Sequence, residues 1–343
     1  MLGAVIEAIA FTLRAGVLHP AVILTASFVA GMAQSALAIA AAPFLSEHST
    51  SRERTHLFSV FFATELVASV CGDLIGGWVP SLANATAWGA AAGALVRYRV
   101  ALLLGAACGL SSILAVLAMR GVAESPIRKT RAFADPAARR RILPIAVEAV
   151  LIGVGAGLVI PFMNLYFATR FACSSAQIGV FFSFAQILTA CAALVGPVLA
   201  RRFGALNTAT AFQLLSLPFL VTLGAEKHLA VAVGAFWFRA TLMQASTPLI
   251  NSLVMEAMPP DLRARAASLA NLLWNGGWAL SATASGILIQ TFGYAVPFYV
   301  TAVLYAIASL FFFFSYRGIA ADLRRAQLSE EAKGLRGEGP LTE

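Results

Sequence analysis

Long apolar stretches alternate with short charged gaps along nearly the whole chain. Ten such stretches run at about residues 2–18, 21–46, 56–80, 100–119, 143–168, 176–199, 206–224, 229–257, 265–290 and 294–315. Roughly 20 apolar residues span a hydrocarbon core of about 30 Å as a helix, which keeps every backbone N–H and C=O paired within its own segment. The pattern therefore predicts an all-α membrane protein with about ten transmembrane helices. The first stretch, interrupted by Glu7 and Arg14, is the weakest of them.

Composition points the same way, with 59% hydrophobic and 12% charged residues, the latter about half the charged fraction of an ordinary soluble domain. A net charge of +8 raises the question of nucleic acid, but the basic residues fall in alternate gaps and make no continuous basic face. No nucleic-acid partner is expected; the lipid bilayer is. Alternate gaps and the tail hold 18 Lys and Arg, from Arg52 to Arg336, while the opposite gaps hold only Arg97, Arg99, Arg170 and Lys227. Short cytoplasmic loops carry the positive excess, so both termini are expected in the cytoplasm of a multi-pass protein of the cell's inner or plasma membrane.

Cys71, Cys108, Cys173 and Cys191 lie in or beside apolar segments without metal-ligand spacing, and the four histidines sit near segment ends. No metal site, cofactor or intramembrane enzyme chemistry is expected from them. A phosphate-binding GxxxxGK[ST] loop does not occur in the sequence either.

The longest basic gap carries Pro126 and Pro136 and reads as a cytoplasmic linker over 121–142. It divides an N-terminal bundle of four helices (1–120) from a C-terminal bundle of six (143–316), followed by a charged cytoplasmic tail (317–343) with a short surface helix near 320–332. A shift of 210 residues reveals an internal repeat: Gln34 falls on Gln244, Glu65 on Asn275 and Gly76 on Gly286. The second and third stretches thereby correspond to the eighth and ninth, a parallel repeat of the kind found in transporters built from two halves.

Three segments resemble the major facilitator superfamily. Pro197-Val198-Leu199-Ala200-Arg201-Arg202-Phe203-Gly204 resembles its signature loop, with Arg201 where an Asp is usual. Ala68 to Gly77 resembles the glycine-rich fifth-helix motif of its antiporters, with Asp73 in place of a proline, and Phe238-Arg239 through Gln244 resembles its intramembrane-arginine motif. The resemblance implies a two-bundle transporter fold in which these ten stretches are family helices three to twelve. The first two family helices are then missing, for which a shortened gene model or a truncation is the most economical account and a genuine ten-helix transporter the alternative.

Charges inside apolar segments are costly and usually face a wet cavity or a partner. Glu65, Asp73 and Arg239 are the proton-coupling candidates; Glu65 and Asp73 fall near one face of a helix with Ser69 and Gly72, and the alternative is that either is held permanently by Arg239 or caps a kink. Glu7 and Arg14 read as packing or snorkelling residues. Asn271, Trp274, Asn275 and Trp278 form one polar and aromatic helix stripe, suited to an aromatic or amphipathic ligand or, alternatively, to core packing with interhelical amide bonds. Gln34, Gln244 and Asn251, with Thr247 and Pro248, add polar positions along the substrate path. Pro161, Asn164 and Tyr166 supply a helix break and polar groups, a pattern used where transporter helices bend around a site, so Asn164 and Tyr166 join the substrate-path candidates, whereas Phe311 to Phe314 read as a lipid-facing run.

The expected activity is secondary active transport of a small molecule by alternating access, with protons as the coupling ion and efflux as the direction. Proton-coupled uptake by symport is the alternative within that class. A truncated, non-transporting membrane remnant is the alternative outside it.

Overall fold

The computed structural model describes the backbone of residues 2–17, 19–47, 51–86, 91, 93–118 and 136–335. Within these, the side chains of 2–4, 34–47, 51–60, 62, 63, 94, 112–118, 136–140, 260, 261, 264, 323, 324 and 326–335 lie outside the description. The linker region 119–135 is likewise outside it. The elements are α1 (Leu2–Gly16), α2 (Pro20–Glu47), α3 (Ser51–Asn84), α4 (Gly93–Ala118), α5 (Pro136–Val159), a 3-10 turn (Ile160–Phe162), α6 (Met163–Arg170), α7 (Ser175–Phe203), α8 (Ala205–Ala225), α9 (Leu229–Ala257), α10 (Pro260–Phe292) and α11 (Ala295–Leu335). The chain is all-α, with about ten long helical passages, the 3-10 turn and α6 extending α5.

Among the described residues, six passages are long and apolar enough to cross a membrane by themselves: 64–84, 141–170, 175–203, 205–225, 229–257 and 295–322. Large apolar side chains such as Leu24, Leu194, Leu272 and Leu280 stand well exposed on their helices, a surface suited to hydrocarbon rather than water.

The 210-residue repeat reappears in the helix boundaries. Shifted by that amount, α2 falls on 230–257 and α3 on 261–294, against the observed Leu229–Ala257 and Pro260–Phe292. The packing order repeats too: α1 lies against α2 and α4, as α8 lies against α9 and α11. α5 packs on α10 and α11.

The chain forms two compact units, Met1–Lys129 with Ala168–Gln186, and Thr130–Phe167 with Ile187–Glu343. In the first, the buried apolar residues are mainly alanines, including Ala10, Ala26 and Ala30. The second has a core of larger side chains, with Leu249, Leu253, Val254, Phe312 and Tyr316 in its main cluster.

Local sequence explains the breaks. Pro161, the second residue of the 3-10 turn, has no N–H to continue the helical ladder, so α5 ends at Val159 and the chain resumes as α6 at Met163. Gly204 adopts φ 91° between α7 and α8, a conformation that disfavours any side chain. Its N–H donates to the Ala200 carbonyl at 2.8 Å and its own carbonyl accepts from Thr208 N–H at 3.1 Å. The signature-like segment is therefore a single-residue hinge, not an extended loop, since α7 runs on through Pro197, Arg201 and Arg202 to Phe203.

Two expectations are corrected. Phe311 and Phe314 are exposed, but Phe312 is 1% exposed, stacked on Tyr316 inside the core, because four consecutive helical residues cannot all share one face. The tail does not begin as a separate helix; α11 continues unbroken through its charged end to Leu335.

Candidate functional site

The site of greatest chemical content lies inside the second unit and is organised by the glycines of α5. Gly153 and Gly157, one turn apart, press against α10: a Cβ at either would overlap the main chain of Trp274 or Trp278. Gly277 of α10 answers them, its own Cβ position lying 3.1 Å from the Val150 carbonyl oxygen. Such four-residue spacing of small residues lets two backbones approach closely.

Gly155 points to a different neighbour. A Cβ there would fall 2.6 Å from the Tyr305 ring, and the Gly155 carbonyl accepts a 3.0 Å hydrogen bond from Thr301 Oγ1. The Tyr305 ring of α11 is thereby seated on α5, and its hydroxyl accepts from an amino group of Arg239 on α9 at 3.3 Å. The guanidinium carbon is also 5.9 Å from the centre of the same ring, within cation–π reach. Arg239 is 4% exposed and its Nε has no hydrogen-bond partner among the described residues.

Glu148 precedes Gly155 by two helical turns and so lies on the same side of α5. It is also buried, and its carboxylate oxygen accepts a 3.4 Å hydrogen bond from Gln213 Nε2 of α8. Ser216, one turn further along α8, donates to the Gln213 carbonyl at 2.6 Å. Glu148, Gln213 and Tyr305 were not among the candidates read from the sequence. Glu148 was detectable there as the lone acidic residue within the apolar stretch 143–168; nothing in the sequence brings Gln213 or Tyr305 to it.

The predicted coupling carboxylates are in the first unit. Glu65 is exposed on α3 and Asp73 is half-buried on the same helix. The half-buried side of α3 is covered by the start of α7: Gly77 and Gly179 meet with Cβ positions 2.5 Å from the Ser175 and Asp73 carbonyl oxygens respectively, and Ser183 Oγ donates to the Val70 carbonyl at 3.3 Å. Asp73 thus sits beside a close backbone contact, and Glu65 does not. Glu7 and Arg14 are half-buried on α1, with the Arg14 guanidinium 5.3 Å from the centre of the Phe11 ring.

The remaining predicted residues divide by exposure. Trp274 and Trp278 are half-buried with ring centres 4.9 Å apart at a 48° tilt. Asn271 and Asn275 are exposed and turn their amides back onto α10, donating to the Ala267 and Asn271 carbonyls at 3.1 and 2.8 Å. Gln244, Asn251 and Asn164 are exposed. Tyr166 is fully buried, its hydroxyl donating to the Leu223 carbonyl at 2.7 Å and its ring meeting Phe167, Tyr294 and Phe298 edge-on. Gln34 is carried by α2, but its side chain is outside the described residues. Among the described residues, no three His, Cys, Asp or Glu side chains gather to hold a metal ion. Cys173 is buried and the other three cysteines are exposed.

Solved structures of similar fold are transporters. A bacterial homolog of the human lysosomal transporter Spinster, inward-facing and occupied, superposes with a TM-score of 0.67 at 15% identity, covering 92% of this chain and 81% of that one. A bacterial homologue of the iron transporter ferroportin gives 0.67 at 16% identity in its inward-facing state, with 91% and 80% covered. The outward-facing state of a ferroportin homologue gives 0.57 at 16%, with 92% and 82% covered. No curated protein matches the chain by sequence. The sequence profile of the Major Facilitator Superfamily does match, over residues 1–282 and again over 145–339, and with the repeated helix order and the all-α architecture this assigns the chain to the major facilitator superfamily.

Proposed function

We propose that the chain is a secondary active transporter that moves a small organic molecule by alternating access and couples its efflux to protons. Family membership supports the class. The observation that carries the coupling is the retention of ionisable side chains within spanning helices, Glu65 and Asp73 on α3 and Arg239 on α9, because charge at membrane depth is expensive unless it is used or paired. In this reading the bundles 1–120 and 143–316 work on either side of a cytoplasmic linker, with both termini cytoplasmic. Gln34, Asn164, Gln244, Asn251, Asn271, Trp274, Asn275 and Trp278 belong to the cargo path, and Tyr166, buried with its hydroxyl on the Leu223 carbonyl, supports it from the core.

The cargo is organic and carries an aromatic or amphipathic surface. The two half-buried indoles of α10 offer flat contact area, with the amides of Asn271 and Asn275 on the exposed side of the same helix. Solved relatives in fold include transporters of metals, and at their low identity that cargo is not carried over.

Everted vesicles from cells overproducing the chain test the proposal, with ethidium as a fluorescent aromatic probe and an imposed pH gradient as the drive. Uphill ethidium accumulation is expected to collapse with the gradient and to be lost in Glu65→Gln, which keeps the side-chain shape but not the titratable group. Gradient-independent accumulation, or full uphill transport in Glu65→Gln and Asp73→Asn together, overturns the coupling reading. A cysteine at Ser125 that reacts with an impermeant reagent from outside intact cells overturns the orientation.

A further inference from the structure

The second unit encloses a carboxyl group, Glu148, for which transport as proposed above has no role. Four helices converge on it and on Arg239. Glu148 of α5 is 9% exposed and holds one hydrogen bond among the described residues, the 3.4 Å bond from Gln213 of α8. Arg239 of α9 holds one as well, to the Tyr305 hydroxyl of α11, and its Nε is left without an acceptor. Thr241 Oγ1 on α9 and Ser309 Oγ on α11 are also buried without partners among the described residues.

The guanidinium stays protonated in any protein environment. A buried carboxylate would draw it into a paired fork, since a charge left unpaired at such depth is strongly destabilising. No ion pair within 4 Å joins Glu148 and Arg239, although Tyr305 lies within electrostatic reach of both. A neutral carboxylic acid needs far less from its surroundings, and one long hydrogen bond from an amide is what this one receives. The arrangement fits a neutral Glu148, with Arg239 held on the Tyr305 hydroxyl instead of on the carboxyl group.

The other charges of these helices lie toward their ends, including Arg141 of α5, which donates to the Ala257 carbonyl at 3.0 Å. α8 carries no Asp, Glu, Lys, Arg or His, and α9 carries only Glu256 besides Arg239, in its last turns. α10 has Asp261, Arg263 and Arg265 only at its beginning. α11 presents Tyr305 here and Tyr316 at the Arg141 end, where its hydroxyl donates to the Arg141 carbonyl at 2.9 Å. The charged residues of α11 begin after Tyr316.

We propose that Glu148 is a proton-binding site of this chain and that Arg239 is its conditional counter-ion. The carboxylic acid releases its proton to water, and the carboxylate so formed takes the guanidinium from the Tyr305 hydroxyl. Reprotonation returns Arg239 to Tyr305, leaving the unit with one positive charge more than in the paired state. This deepens the proton-coupled reading above and rests on it for its place in a transport cycle.

The test needs no cargo, only the proton. Infrared difference spectra of the full chain in lipid nanodiscs, recorded between acid and alkaline pH, are expected to show the C=O stretch of a buried protonated carboxyl and its shift in heavy water. The band is expected to vanish in Glu148→Gln, to persist at a displaced frequency in Glu148→Asp, and to remain in Glu65→Gln and Asp73→Asn. Its survival in Glu148→Gln, or the absence of any such band in the parent, overturns the assignment. Should Glu148→Gln not fold, an unmoved band in Glu148→Asp overturns it equally. A chain that shows the Glu148 band yet moves ethidium in no gradient overturns the transport reading and leaves the proton site standing.

Discussion

The two units solve the same packing problem with different residues. In the first, helices meet through alanines, Ala8, Ala10, Ala15, Ala26, Ala30, Ala33 and Ala106 among the described residues, and on α3 Glu65 is exposed and Asp73 half-buried. In the second, Tyr166, Phe167, Leu220, Phe236, Tyr305 and Phe312 fill the interior, and an acid and a base are enclosed with them. Small residues bring helix axes together and leave little room between them for a long polar side chain. In the second unit Glu148 and Arg239 are buried together with large side chains. The enclosed chemistry therefore belongs to the unit with the bulky core, and the glycines of α5 supply the local exceptions that seat it.

The difference can be broken at its tightest point first. Gly157→Leu is expected to abolish folded protein, since even a Cβ there collides with the Trp278 main chain. Gly105→Ala in the first unit, where a Cβ meets nothing within 4 Å, is expected to gain about 0.4–1 kcal/mol by stiffening the unfolded chain. Thermal unfolding in detergent reads both; a folded, fully stable Gly157→Leu refutes the seam between α5 and α10.

Next comes the affinity for an aromatic probe. Trp274→Ala or Trp278→Ala is expected to weaken ethidium binding about five- to a hundred-fold, corresponding to roughly 1–3 kcal/mol of lost apolar contact. Phe314→Ala, 58% exposed on α11, serves as the control and is expected to change it little. Titration of the purified variants by fluorescence checks this, and unchanged affinity in folded Trp variants leaves the stripe as packing alone.

Two tyrosines sharpen the contrast between enclosed and open polar groups. Tyr305→Phe deprives Arg239 of its one described acceptor and is expected to cost about 1.5–3 kcal/mol, as for hydrogen bonds to charged groups. Tyr98→Phe in the first unit removes an exposed 2.8 Å contact with Ser175 and is expected to stay within about 0.5 kcal/mol of the parent. Equal losses in chemical denaturation would show that the two units do not differ in this respect.

The smallest effect is expected for Asn275→Ala. Its amide bonds only to its own helix and is exposed, so stability should move by no more than about 0.5 kcal/mol. A loss of ethidium affinity without a loss of stability would place Asn275 on the cargo path.

Hydrophobic periodicity and punctuation made much of the fold legible. A spanning helix must be long, apolar and self-satisfied in its backbone hydrogen bonds, so the segments, the break at Pro161 and the repeat linking Gln34 to Gln244 can be read along one dimension. Glu65, Asp73, Arg239 and the Asn271–Trp278 stripe were visible for the same reason, as polar residues where apolar ones are the rule. What the line of residues could not disclose was which polar groups meet. Glu148 and Gln213 are 65 positions apart, and Arg239 and Tyr305 are 66; their encounters depend on how α5, α8, α9 and α11 pack. Likewise Phe312 turned inward while Phe311 and Phe314 stayed out. Helix formation in a membrane is decided locally, because each segment closes its own hydrogen bonds, whereas the meetings of Glu148 with Gln213 and of Arg239 with Tyr305 are properties of the assembled unit and follow from the tertiary structure alone.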